Sequence, residues 1–225
     1  MATLFLVATP IGNLGDITLR ALDCLRGVGA IACEDTRHSL KLLGRYDIKK
    51  PLISCHAHNE ASAATRVLAL LGEGKDVAYI SDAGTPGVSD PGQRLVRKAK
   101  DAGFPVLPLP GPCAFAALAS VSGFSGKTLV FEGFLSPKAG RRRSRLRELL
   151  AREEAFVLYE SVHRIVKLLE DLADLEPERI ILVGREMTKE FEEYREGPPG
   201  EILAQFTEKT LKGEFSILVT DRKKS

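Results

Sequence analysis

Short apolar runs alternate with segments of helical period along almost the whole of this chain, and that alternation restricts it to an α/β architecture. Leu4 to Ala8, Ala30 to Cys33, Leu52 to Cys55, Val77 to Ile80 and Val106 to Leu109 read as buried strands. Between them, Asp16 to Arg26, Asn59 to Gly72 and Pro91 to Ala102 read as helices, with Ala64, Val67, Leu68 and Leu71 spaced as one helical face. Strands separated by helices favour a largely parallel sheet covered on both sides. Pro108, Pro110, Gly111 and Pro112 interrupt the series near the middle of the 225 residues. It then resumes with strands at Thr128 to Phe131, Phe156 to Tyr159, Ile180 to Val183 and Ser216 to Val219. The helices among these run from Arg141 to Glu153 and along a face bearing Val162, Ile165, Val166, Leu169 and Leu172. The expected organisation is two α/β domains, 1–109 and 113–225, joined by a linker at 110–112, with a cofactor cleft between them.

The loop from Ser81 to Gly92 directly follows one of these strands, and the carboxyl ends of parallel strands are where α/β proteins bind ligands. Gly84, Gly87 and Gly92 permit backbone shapes and close approaches that a side chain blocks, while Pro86 and Pro91 stiffen the turn. Asp82 and Asp90 can accept hydrogen bonds from hydroxyls or an amine. The plainer reading is a long strand-to-helix turn with Asp90 as helix cap and Pro91 as first helical residue.

Other classes are excluded by context. Charged residues make up 28% and apolar residues 44% of the chain, as in an ordinary globular protein. No apolar stretch approaches the ~20 residues that cross a bilayer, and the amino terminus lacks a secretory pattern, so the expectation is a cytoplasmic protein with no membrane partner. Cys24, Cys33, Cys55 and Cys113 form no CxxC pair, and Cys55, His56 and His58 lack a second ligand pair at zinc-site spacing, so neither disulfide nor metal is expected. Gly126-Lys127-Thr128 ends like a phosphate-binding loop, but Val121 replaces its first glycine and the motif precedes a strand. Gly27 to Ala32 fits a dinucleotide pattern as text and fails in the same context. Ser161 and His163 have no G-x-S-x-G elbow to make a hydrolase.

The remaining polar clusters sit mostly at strand ends: Thr9 to Asn13, Glu34 to His38, Ser81 to Gly92, Pro110 to Ala114, Tyr159 to Arg164, Arg185 to Lys189 and Lys212 to Glu214. Each alone suits a helix cap or a surface ion pair, and together they favour an enzyme cleft. In this order, from Leu4 to Val219, they resemble the tetrapyrrole methylase superfamily, and within it the bacterial enzymes that methylate a cytidine 2′-hydroxyl of small-subunit ribosomal RNA. That resemblance implies a two-domain α/β fold, a homodimer, S-adenosylmethionine as cofactor and the 16S ribosomal RNA of the small subunit as partner. The implied cofactor residues are Ser81, Asp82, Ala83, Gly84 and Val88, then Pro112, Cys113 and Ala114, then Tyr159, Glu160, Lys212 and Gly213, with Pro10 at the first loop.

A ribose hydroxyl needs a base or electrostatic help as its proton leaves. Glu34, Asp35, Glu160 and Glu186 are the candidate bases, and Lys189, Arg37 and Arg185 candidate stabilisers or phosphate contacts. The densest basic run, Lys138, Arg141, Arg142, Arg143, Arg145 and Arg147, is expected to present a helix face to RNA phosphates. Two rivals stay open: a tetrapyrrole C-methyltransferase of the same fold, and a non-catalytic RNA- or ribosome-binding module. Members of the family commonly continue past the last strand, whereas this chain ends at Asp221-Arg222-Lys223-Lys224-Ser225, so substrate docking is expected to differ or a partner to supply contacts. Gly87 stands where some members carry a larger apolar residue, which predicts a looser cofactor loop.

Overall fold

The computed structural model describes residues 1–206 and 211–221; the basic end Arg222-Lys223-Lys224-Ser225 lies outside them. The chain divides into two compact units, Met1–Cys113 and Ala114–Ser225. No helix among the described residues is long and apolar enough to cross a membrane.

The first unit runs β1 (Leu4–Val7), α1 (Leu19–Gly27), β2 (Ala30–Cys33), α2 (Thr36–Arg45), β3 (Leu52–Ser54), α3 (Glu60–Gly72), β4 (Val77–Ile80), α4 (Gln93–Asp101) and β5 (Val106–Leu109). The strands form one parallel sheet in the order β3-β2-β4-β1-β5. Alternation along each strand sends Ala32, Val77 and Tyr79 to the side of Val67 on α3 and Leu95 on α4. It sends Ile31, Ala78 and Ile80 to the side of Leu25 on α1 and Leu43 on α2. Both faces are thus buried, which is why these strands are continuously apolar. β4 lies between β1 and β2, whose following helices cover one face, whereas β4 itself leads to α4 on the other. That change of face opens a crevice at the carboxyl end of β4.

Two helix starts differ from the sequence reading. Leu14–Asp16 is a separate 3-10 turn, and α1 begins at Leu19 with the Thr18 hydroxyl accepting from Ala21 N at 3.1 Å. α4 begins at Gln93 after Gly92 at φ +113°, with neither Asp90 nor any other local side chain capping it. Its cap comes from α3: Glu60 Oε1 accepts from the backbone N–H of Gly92, Arg94 and Leu95 at 3.1, 2.8 and 3.1 Å. A carboxylate there satisfies orphan donors and complements the helix dipole.

The second unit runs α5 (Ala114–Val121), β6 (Leu129–Phe134), α6 (Ala139–Ala151), β7 (Ala155–Ser161), α7 (Ile165–Leu175), β8 (Ile181–Arg185), β9 (Glu193–Gly197), α8 (Pro199–Ala204) and β10 (Glu214–Val219). Its sheet order is β6-β7-β10-β8-β9, over a core that includes Leu146, Phe156, Leu168, Leu172 and Ile217. The expectation of parallel pairing is corrected here. Only β6 and β7 pair in parallel; β10 inserts antiparallel between β7 and β8, and β8 turns directly into β9 as a hairpin. β9, Glu193-Tyr194-Arg195-Glu196-Gly197, escapes an apolar scan because it is a charged edge strand.

α6 also departs from a single basic face. Arg142 is buried, with Nε 2.7 Å from Asp171 on α7. Arg143 reaches Asp171 and Asp174 at 2.7 and 3.1 Å, and Arg145 reaches Glu132 and Glu148 at 2.7 and 2.9 Å. Consecutive arginines are spread around a helix by its 3.6-residue period, so part of the run turns inward to acids. Arg141 and Arg147 remain exposed, with no ion partner among the described residues.

Candidate functional site

Four loops of the first unit meet at the carboxyl end of its sheet. The loop after β1 joins the loop after β4 through paired backbone hydrogen bonds between Thr9 and Gly84, 2.9 and 3.0 Å long, and the Thr9 hydroxyl donates to Ser81 O at 3.1 Å. The loop after β2 joins it where Asp35 N donates to Asp82 Oδ1 at 3.1 Å. The segment after β5 joins it where the Thr85 hydroxyl donates to Pro112 O at 3.1 Å. Gly84 has φ +81°, and a Cβ there would lie 3.3 Å from Ile11 Cγ2. The left-handed backbone and the close packing of Ile11 together favour glycine at this point of the rim. Pro10, Ser81, Asp82, Ala83, Gly84 and Pro112 thus share one rim, and Val88 donates its N–H to Thr85 O at 3.2 Å within the same loop. Cys113 follows Pro112 at the end of the unit.

Acids dominate this rim. Burial pushes the Asp90 carboxyl up to about 7; the charges of Glu34 and Asp82 add to the rise, and a hydrogen bond from the Ser81 hydroxyl opposes it. Burial also raises Glu34, with Asp82 adding, while the Asp82 backbone and His56 pull the other way. Tyr79 lies in β4 beneath them, fully buried, its hydroxyl without a hydrogen-bond partner and its electrostatic neighbours Cys55, Glu34, Asp90 and Glu60. Asp35 differs from its neighbours: hydrogen bonds from the Arg37 side chain and N–H hold its carboxyl well below the usual range. It caps α2 and carries Arg37, so the two act as a structural pair at the helix start. The sequence reading weighed Asp90 as a hydrogen-bond acceptor or helix cap without placing it among the cofactor residues, and it passed over Tyr79. Asp90 was visible as an acid in the same loop as Asp82; Tyr79 carried no signal apart from its strand.

In the second unit, Glu160 on β7 is buried, with Oε1 2.7 Å from Arg164 Nη2 and accepting from Ser161 N at 2.8 Å; its other oxygen has no partner. The Tyr159 hydroxyl accepts from Phe115 N at 2.8 Å, just after Ala114 opens α5, and its ring packs on Phe131 and Phe134. Arg185 is tied to its cross-strand partner Glu193 at 3.1 Å and reaches Lys212 O at 3.4 Å. Glu186 and Thr188 turn the chain at φ 49° and 67°. Lys189 Nζ sits 2.8 Å from Glu186 and 3.1 Å from Glu214, and Glu214 N donates to Glu186 Oε1 at 3.0 Å. Burial raises the Glu186 carboxyl, yet Lys189 and the Glu214 N–H outweigh it and the net direction is down. Gly213, at φ +92°, leaves the space where a Cβ would strike that carboxyl. The expected bases Asp35, Glu160 and Glu186 are therefore each committed to a cation, whereas among the described residues no lysine or arginine pairs with Glu34. Among the described residues no group of acids, histidines or cysteines could hold a metal ion.

Comparison with known proteins gives the class of this two-unit α/β chain. The family model of tetrapyrrole (corrin/porphyrin) methylases matches residues 3–203. A ribosomal RNA small subunit methyltransferase I of Borrelia garinii subsp. bavariensis is 48% identical over 219 residues, covering 96% of this chain and 98% of that protein. The protein of the same name from Synechocystis is 46% identical, covering 97% and 79%. Among solved structures, a cobalt precorrin-4 methyltransferase of cobalamin biosynthesis superposes with TM-score 0.72 at 16% identity over 97% of this chain and 94% of that one. A diphthine synthase does so with TM-score 0.76 at 11% identity, over 97% and 90%. The chain belongs to the tetrapyrrole methylase family, in the branch of the ribosomal RNA small subunit methyltransferase I proteins.

Proposed function

We propose that this protein transfers a methyl group from S-adenosylmethionine to the 2′-hydroxyl of a cytidine ribose in 16S ribosomal RNA. The observation that carries this reading is near-full-length identity to proteins named for methylating the small-subunit ribosomal RNA. The rim around Gly84 suits the cofactor: its backbone is fixed by the paired bonds to Thr9, and its carboxylates favour a cationic, hydroxylated ligand. The proposed contacts are Pro10, Ser81 to Gly84, Val88, Pro112 and Cys113 in the first unit, and Ala114, Tyr159, Lys212 and Gly213 in the second.

The cofactor supplies an electrophilic methyl group on a sulfonium. The chain's part is positioning, which for an in-line displacement contributes much of the rate, and relief of the hydroxyl proton. Glu34 is assigned that proton because it is the candidate carboxylate without a bound lysine or arginine, and its raised pKa moves it toward the range a base needs. Glu160 and Glu186 are assigned structural roles, holding Arg164 and Lys189. Arg141 and Arg147 are the arginines of α6 assigned to RNA phosphates, and Arg37 a further contact from the first unit. The reading includes a homodimer working in the cytoplasm, where ribosomal subunits are made.

The test is transfer of labelled methyl from S-adenosylmethionine to small subunits lacking native methylation, with the product mapped by mass spectrometry. Label on a cytidine ribose is expected. Cofactor binding with label on no ribose would overturn the assigned reaction.

A further inference from the structure

β6 carries one residue more than its pairing needs. Its register on β7 slips between Phe131 and Gly133, where Gly133 turns at φ 75° and the Glu132 carboxylate is held by Arg145 at 2.7 and 2.8 Å. An unbroken register would set Gly133 beside Tyr159 and send Phe134 to the face of Leu158, which belongs to the buried core. The bulge instead pairs Phe134 with Tyr159 and returns it to the face of Phe131. A continuous row of rings results, with centroids 5.2 Å apart from Phe115 to Phe131, 5.0 Å from Phe131 to Tyr159 and 5.7 Å from Tyr159 to Phe134. The row ends at the surface, where Phe134 is 53% exposed. A T-shaped contact such as that with Tyr159 covers at most one face of a ring, so Tyr159 backs Phe134 without covering it. The charge beside this ring is positive: Glu132 and Glu160 are each paired, with Arg145 and Arg164, whereas Lys138 and Arg141, four and seven residues on, are exposed with no ion partner among the described residues.

Resting on the RNA reading above, we propose that Phe134 is a stacking platform for an unpaired base of the substrate RNA, with Lys138 and Arg141 on the adjoining phosphates. An exposed aromatic ring flanked by free cations matches a single-stranded nucleic acid, whose bases offer flat faces and whose backbone carries the opposite charge. A purely apolar protein surface would leave those two cations without a counterpart. Every base has such a face, so the ring adds affinity for an unpaired nucleotide and no preference for one sequence. The bulge at Gly133 is the device that keeps the ring out of the core and available to the RNA.

The test uses the whole protein and two probes, small ribosomal subunits lacking native methylation and S-adenosylmethionine. Equilibrium binding of each is measured for the native chain and for Phe134→Ala, Phe134→Leu and Phe134→Tyr. Loss of one base stack is expected to weaken subunit binding about tenfold in the alanine and leucine variants, while tyrosine, which keeps the flat face, stays within about twofold of native. Affinity for S-adenosylmethionine should be the same in all four proteins. The dependence of subunit binding on salt should also be the same, because the ring carries no charge, whereas Lys138→Gln should make that slope shallower by about one counterion. Leucine as good as phenylalanine would make the contact merely apolar and overturn the proposal, as would full subunit affinity in Phe134→Ala. A parallel loss of S-adenosylmethionine affinity would assign the ring to the cofactor and overturn it too. A native protein that binds S-adenosylmethionine but no subunit would instead overturn the RNA reading, and this proposal with it.

Discussion

At Gly84 the backbone is bonded to Thr9 while sitting at φ +81°. An L side chain in that region costs roughly 1–2 kcal/mol, and its Cβ would press on Ile11. Gly84→Ala is therefore expected to weaken binding of S-adenosylmethionine at least several-fold with the fold retained, measured by calorimetry; unchanged affinity would remove the cofactor from this rim. Asp90 leads to a separate expectation about stability. Its carboxyl is raised in the folded protein, so the native state holds that proton more firmly than the unfolded chain. The contribution is complete at low pH and is lost as pH rises from about 4 through about 7. Asp90→Asn should flatten that part of the pH profile in urea unfolding, and an identical slope would contradict it. Asp82 was legible because it opens a glycine-rich loop after an apolar strand. The state of Asp90 was not, since it depends first on burial and then on the Glu34 carboxyl brought in by the loop after β2.

Single helices and strands were easiest to read where one face is buried, as in α3, and hardest where charge is itself structural. α6 shows both. Its apolar side, Leu146 and Leu149, is plain in the sequence, but nothing local reveals that Arg142 turns inward to Asp171 on α7. Breaking such a buried pair typically costs about 3–5 kcal/mol, so Asp171→Ala should lower unfolding stability by that order, and replacement of both partners by apolar residues should recover much of it. A loss below about 1 kcal/mol would show the pair to be dispensable. The exposed arginines behave differently. Arg141→Gln with Arg147→Gln is expected to leave unfolding nearly unchanged and to make RNA binding less salt-dependent, by close to two counterions' worth of slope. An unaltered slope would move the RNA contact off α6. The edge strand β9 was missed for a related reason: its alternation is real, but both of its faces are polar.

Each unit carries its own core, and the first buries both faces of its sheet with its own four helices. A fragment ending at Cys113 should therefore fold alone, giving a cooperative thermal transition by circular dichroism; a broad, uncooperative melt would show that it depends on the rest of the chain. Strand-helix alternation made the α/β class and the parallel first sheet readable in advance. The antiparallel insertion of β10 was not, because an apolar strand reads the same in either direction and its neighbours are fixed by tertiary packing. The way the loop after β4 is fastened bears on traffic through the site. It is pinned near its start by Thr9, again at Thr85 by Pro112, and at its far end by Glu60. A strap secured at three points is a sill and not a door, so stiffening this loop further is expected to leave the rate of cofactor exit untouched.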